Sequence, residues 1–283
     1  MTTLNKPVDA TSGTIRPALL GCPFDHHSSF LRGAAGAPES IRRALRSPAT
    51  NLWSETGIEL ASPVPIHDAG DVRCAREEDF VTAIETAVAG LIDQGFSPLV
   101  LGGDHAVTYP ILRGFASRFA SLDMLVFDAH PDLYDHFRGD RLSHACPCAR
   151  IAEEGLVTRL VQIGIRAGND HQREQARRLG VTVHEMKDAG DFLGLEFHRP
   201  LYISFDMDVL DPAFAPGVSH HEPGGFSTRE AIRIIQRLRA PVIVGGDVVE
   251  TNPVRDPEGV TAAAAAKILK EMAAKMLSVG RPA

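Results

Sequence analysis

The chain has 283 residues, a net charge of −7, 44% hydrophobic and 23% charged residues, enough for one large α/β domain whose core needs no disulfides. The negative balance argues against nucleic acid and anionic membrane as partners, and no apolar run approaches the roughly 20 residues that span a bilayer. Residues 1–16 lack the apolar core of a secretory signal and read as a flexible arm before a single domain over 17–283; with Cys22, Cys74, Cys146 and Cys148 expected to be reduced, the protein is expected to be cytoplasmic.

Ala18 to Cys22 predicts a first strand. Pro23 to Pro38 is a long loop rich in Gly, Ser and Ala, of the kind that often carries function. A helix starts near Pro38-Glu39, and residues 47–65 are irregular. From Glu77, the residues Phe80, Val81, Ile84, Val88, Leu91 and Ile92 recur at helical spacing. Pro98 to Leu101 is a short buried strand ending in Gly102-Gly103, followed by a helix over 107–119 and a strand over 124–127. Strands over 160–164, 181–183, 201–205 and 241–245 alternate with helices over 170–179 and 228–238, and an Ala-rich helix over 260–277 ends the chain. Such alternation predicts an α/β fold with a mostly parallel sheet covered on both faces, with ligands bound at the carboxyl ends of its strands.

The polar segments lie at those ends. Asp128, His130 and Asp132 alternate with Ala129 and Pro131, so an extended segment would point all three to one side. Asp206 and Asp208 repeat the device, and His105 follows the Gly-Gly turn. Any one of these pairs alone is more often a turn or a cap. Together they give buried carboxylates too dense to ionise without a strong positive charge among them. Mixed oxygen and imidazole donors suit Mn(II), with Fe, Co, Ni or Zn as alternatives, and a carboxylate-rich shell suits a pair of ions. Glu250, which ends the apolar run 242–249, could seat a cationic group, and His144 could give a proton to a leaving amine.

Gly102-Gly103-Asp104-His105, Phe127-Asp128-Ala129-His130-Pro131-Asp132 and the block from Ser204 to Gly217 resemble the signature segments of the ureohydrolases, a family that includes arginases and agmatinases. The resemblance runs from about Leu19 into the final helix. It implies a three-layer α/β/α fold of the arginase kind, two Mn(II) ions and release of urea from a small guanidino substrate. It implies that His105, Asp128, Asp132 and Asp206 hold one ion and Asp128, His130, Asp206 and Asp208 the other, with Asp128 and Asp206 bridging. It further implies that His144 moves a proton, that Glu250 binds the guanidinium and that the protein forms homo-oligomers, trimers or hexamers. Gly217-Val218-Ser219-His220-His221-Glu222-Pro223-Gly224-Gly225 is similar to plant-type arginases, with His220 in place of the threonine that lines the guanidinium pocket. L-Arginine is therefore the first expected substrate, then agmatine, then guanidinobutyrate. A deacetylase-like hydrolase and a catalytically silent regulatory relative are the readings from other classes. Specificity should reside in His26 to Arg32 and Tyr134 to Arg141, which carry Arg32, Asp135, Arg138, Asp140 and Arg141.

Overall fold

The computed structural model describes residues 15–61, 66–188 and 192–279. The expected arm therefore lies, but for its last two residues, outside the described residues. One sheet of eight parallel strands forms the middle layer: β1 (Pro17–Gly21), β2 (His67–Asp71), β3 (Ser97–Leu101), β4 (Asp123–Phe127), β5 (Arg159–Ile165), β6 (Thr182–Glu185), β7 (Leu201–Asp206) and β8 (Ile243–Val249), in the order β2-β1-β3-β8-β7-β4-β5-β6. Helices α1 (Ala37–Leu45), α6 (Thr228–Arg237) and α7 (Val260–Val279) pack together on one face. Helices α2 (Phe80–Asp93), α3 (Thr108–Ala116), α4 (Pro147–Glu153) and α5 (Asp170–Leu179) form the other layer.

The central strands are buried on both faces, which is why they read as continuous apolar runs. Aromatic pairs tie neighbours together: Phe127 and Phe205 lie 4.9 Å apart by ring centroids, and Phe115 meets Tyr202 edge-on at 5.0 Å. Each such pair adds about 1 kcal/mol beyond its burial.

Two elements were not expected. β2 is a wholly exposed edge strand of sequence His-Asp-Ala-Gly-Asp, held by pairing with β1 and not by an apolar face. α4 follows directly from Cys146, with Pro147 in its first turn, and its burial comes from contacts with α3 and α5. The four cysteines are free, as expected.

Register places the site. Leu101 pairs with Val248, Val248 with Phe205, and Phe205 with Phe127. The four adjacent central strands thus end in one row, and the chain leaves each of them at one level. His105, Asp128, Asp206 and Glu250 stand at or within four residues of those ends. Between β3 and β4 the chain also crosses over β8 and β7, opening the crevice where such folds bind ligands.

Candidate metal centre

The turn after β3 is fixed by close approach. A Cβ on Gly103 would sit 1.7 Å from the Phe24 carbonyl oxygen, so only glycine brings the segment this near its neighbour. Asp104 then accepts from the Ala106 N–H at 3.1 Å and caps the short turn His105–Val107, which aims His105 inward.

Three carboxylate oxygens surround His105 Nδ1: Asp132 at 2.9 Å, Asp128 at 3.1 Å and Asp206 at 3.3 Å. All four side chains are buried. Yet His105 Nδ1 and Asp128 Oδ2 form no well-directed hydrogen bond. Such crowding of acceptors around one lone-pair donor is the arrangement a cation requires. A second group adjoins the first. His130 Nδ1 lies 3.0 Å from Asp208 Oδ2 and 3.7 Å from Asp128 Oδ1. His105, Asp128 and Asp132 form one cluster with metal-ligand spacing, and Asp128, His130 and Asp208 form another. Asp128 belongs to both.

The protonation equilibria show the same demand for positive charge. Burial opposes a charged His105, but the surrounding carboxylates outweigh it and hold the imidazole well above its ordinary range. Burial, and then the charge of Asp128, push Asp132 up to about 6. Burial, then Asp208 and Asp128, push Asp206 up as well. Protons fill the place that a divalent cation fits, and the residues present match a metal pair in donor type and number.

Strand alternation is not what gathers these groups. The segment 128–132 bends after β4, and Asp132 turns back with φ 50°. Asp206 ends β7 and caps a 3-10 turn over Met207–Val209, accepting from the Asp208 N–H at 2.8 Å, so Asp208 points inward from a turn. The bends replace the extended i, i+2 geometry that the sequence suggested. Asp206 meets the first cluster through His105 and is not gathered into the second.

Behind His105 lies a relay that sequence reasoning did not assign. Ser204 Oγ donates to Asp247 at 2.7 Å and lies 3.2 Å from His105 Nε2. Because the serine proton goes to Asp247, the serine oxygen accepts from Nε2–H. That leaves Nδ1 as the lone-pair nitrogen facing the carboxylates. Asp247, fully buried in β8, also accepts from Tyr202 at 2.6 Å and Thr108 at 3.1 Å, so it orients and does not ligate. The signal was a polar pair, Ser204 and Asp247, inside two otherwise apolar strands. Ser204→Ala should weaken metal affinity by about tenfold, the scale of such outer contacts. Chelator competition checks this, and unchanged affinity would remove the relay from the site.

Beside the clusters sit His144 and Glu250. His144 Nδ1 lies 2.8 Å from Glu250 Oε1, and the same oxygen accepts from the His105 N–H at 2.9 Å. Two donors saturate Oε1, while Oε2 is buried and has no hydrogen-bond partner among the described residues. Glu250 is held in place with φ 63°. Burial opposes the His144 cation, but the charge and hydrogen bond of Glu250 outweigh it and raise His144 to about 9. His144 is thus an imidazolium at neutral pH, its Nε2 lying 2.8 Å from Ser29 Oγ. Burial, and then the charge of Glu250, lift Asp104 to about 7.

These groups share a cavity of about 170 Å³ with Ser29, Tyr134 and Phe137 along its wall. His220 lines it too, 5.2 Å from the His144 ring and 5.8 Å from His130, with Phe30 5.5 Å away. Burial, then the positive charge of His144, keep His220 below the ordinary imidazole range, so it is a neutral wall residue. Of the charged residues expected at the far end, Asp140 pairs with His27 at 2.6 Å, and Asp135 with Arg141 at 2.5 Å and Arg150 at 3.2 Å. The Arg32 guanidinium donates to the His26 carbonyl at 3.0 Å, and the Arg32 carbonyl accepts from Asn252 Nδ2 at 3.2 Å.

The arginase family model matches residues 16–274. The chain is 45% identical over 276 residues to the mitochondrial arginase of Medicago truncatula, which covers 92% of this chain and 81% of that protein. It is 34% identical over 285 residues to the mitochondrial agmatinase of Gallus gallus, covering 95% and 83%. The solved structure of arginase from Medicago truncatula superposes with a TM-score of 0.89 at 43% identity, covering 94% of this chain and 88% of that one.

The arginases of Medicago truncatula and Arabidopsis thaliana are named for the mitochondrion or chloroplast, which overturns the expected cytoplasmic location. The reason is physical: organellar transit segments are amphipathic and Arg-rich, so a missing apolar signal core says nothing about them. Among the described residues, no helix is long and apolar enough to cross a membrane.

Proposed function

The chain belongs to the arginase family, and we propose that it hydrolyses L-arginine to L-ornithine and urea in this cavity, using two Mn(II) ions. The observation that carries the reading is Asp128 shared between two clusters of carboxylate and imidazole donors, beside a buried His144–Glu250 pair. We assign His105, Asp128, Asp132 and Asp206 to one ion, and Asp128, His130, Asp206 and Asp208 to the other. Oxygen-rich donor sets with imidazole favour Mn(II) among the divalent transition metals. When bound, such a pair lowers the pKa of water toward neutrality and stabilises negative charge on oxygen.

The protein's own groups do the rest. Glu250 Oε2, the free acceptor, takes a guanidinium N–H, while Oε1 stays with His105 and His144. The contact is therefore made through one oxygen, not through the two-oxygen fork that a free carboxylate would offer. Hydrolysis breaks the bond from the guanidino carbon to the chain nitrogen, and the departing amine must gain a proton. His144 holds that proton at Nε2 and returns it, with Ser29 steering the ring. His220, neutral and tilted at 38° against the His144 ring, closes the wall over the guanidinium. His144→Ala should slow turnover by about 10²–10⁴-fold while two metals stay bound, because the histidine lies outside both clusters. Metal analysis and steady-state kinetics check this; loss of both metals would make His144 structural.

Agmatine is the second reading, supported by the likeness to agmatinases. A catalytically silent relative is disfavoured by the two adjoining donor clusters. The proposed holoenzyme is a homo-oligomer, trimer or hexamer, as the resemblance implies. Urea release by the manganese-loaded protein with arginine, agmatine, guanidinobutyrate and guanidine is the test. Arginine should give the highest kcat/KM, and no urea from any of them would overturn the assignment.

A further inference from the structure

The far rim of the cavity carries a charge that the proposed chemistry leaves unused. Phe137 to Asp140 form a tight turn closed by reciprocal backbone hydrogen bonds of 2.9 and 3.0 Å. Its central residues are Arg138, at φ 52°, and Gly139, at φ 83°. Such turns favour Asn, Asp or Gly at both central positions, because a Cβ disfavours positive φ. Among the described residues, three other than glycine adopt positive φ: Asp132, Glu250 and Arg138. The first two lie in the candidate site, and strain of this kind gathers at functional sites.

The Arg138 side chain is held to the cavity. Its Nη1 donates to the Ser29 carbonyl at 2.8 Å, and its guanidinium carbon lies 5.4 Å from the centre of the Phe137 ring. Ser29 and Phe137 both line the cavity, and Ser29 Oγ touches His144. No carboxylate pairs with Arg138 among the described residues, whereas the neighbouring acids already have partners, Asp135 in Arg141 and Arg150, Asp140 in the His27 ring nitrogen. The floor of the cavity thus offers Glu250 Oε2 as an acceptor for a guanidinium, and its rim bears a guanidinium without a carboxylate partner among the described residues, with N–H groups to spare.

We propose that Arg138 binds a carboxylate at the tail of the substrate, so that the site takes guanidino carboxylic acids and discriminates against guanidino amines. The inference rests on hydrolysis of a guanidino group at this cavity. A substrate with a guanidinium at one end and a carboxylate at the other matches both charges. Agmatine would set its terminal ammonium against Arg138. Guanidinium pairs with carboxylate through two parallel hydrogen bonds, which lysine cannot reproduce.

The test compares manganese-loaded wild type with Arg138→Asn, a neutral residue that tolerates positive φ, and with Arg138→Lys. For arginine and guanidinobutyrate, kcat/KM should fall by about 10- to 100-fold in Arg138→Asn, chiefly through KM, and by less in Arg138→Lys. For agmatine, kcat/KM should hold or rise. Inhibition supplies a second readout: the Ki of ornithine should rise in Arg138→Asn while that of putrescine does not. Equal changes for carboxylate and amine ligands, or none, would overturn the role of Arg138 with urea release intact. Wild type that releases urea from no guanidino compound would instead remove the underlying reaction, and this inference with it.

Discussion

Asp128→Ala is expected to abolish urea release, by at least about 10²–10³-fold, and to leave the purified protein with less than one metal per chain. Asp128 belongs to both donor clusters of the described residues, so its loss opens both at once. The substitution has a second consequence that separates a metal site from a structural one. In metal-free protein, Asp128, Asp132 and Asp206 crowd a single imidazole nitrogen in a buried site. Removing one carboxylate relieves that crowding. The variant stripped by chelator should therefore unfold at or above the temperature of stripped wild type. With Mn(II) in excess the order reverses, because ligand binding stabilises the native state of wild type alone. A variant that keeps two metals and full turnover would sink the assignment. One that unfolds earlier than wild type even without metal would show that Asp128 holds the fold.

The sheet and the site differ in how far they could be read from the chain. The central sheet was legible because its strands are buried on both faces and read as apolar runs between helical periods. β2 was not, since His67 to Asp71 carry no apolar pattern and the strand exists only by pairing with β1. α4 was hidden because a short helix of mixed composition declares itself only through its neighbours. The site's residues were legible as types in positions. Their geometry was not: Asp132 and Glu250 adopt positive φ that no spacing rule anticipates, and Asp208 reaches the cluster from a 3-10 turn. Asp247 lies three residues before Glu250, inside the apolar run that Glu250 ends. The sheet gives them different tasks, since one precedes the strand end and faces Ser204 while the other follows it and faces the cavity. Local order cannot separate such neighbours, because the distinction depends on which strand lies alongside.

Glu250→Gln is expected to lower kcat/KM for arginine by about 10²-fold while both metals remain, since Glu250 belongs to neither cluster. The loss follows from counting donors. Oε1 accepts from the His105 N–H and from His144, leaving Oε2 for the guanidinium. An amide has one oxygen. If that oxygen faces His105 and His144, the NH₂ meets the guanidinium N–H groups donor to donor. If it faces the guanidinium, the NH₂ meets His105 and His144 in the same way. The substitution also removes the charge that raises His144 to about 9 against the opposing effect of burial. The alkaline limb of the rate profile should therefore move to lower pH in the variant. Stability tells the same story with a definite sign. A folded pKa raised from 6.5 to about 9 gives stabilisation that is whole below pH 6.5 and lost as pH rises through 9. Glu250, held below its ordinary 4.5 by His144 and the His105 N–H although burial pushes it up, gives stabilisation that is whole above pH 4.5 and lost on acidification. In chelator-treated protein the deficit of Glu250→Gln should thus be greatest between about pH 4.5 and 6.5 and close above pH 9. Denaturant unfolding across that range measures it. A deficit that does not change with pH would mean that His144 and Glu250 are not an ion pair, and His144 would then lose its standing as a proton donor.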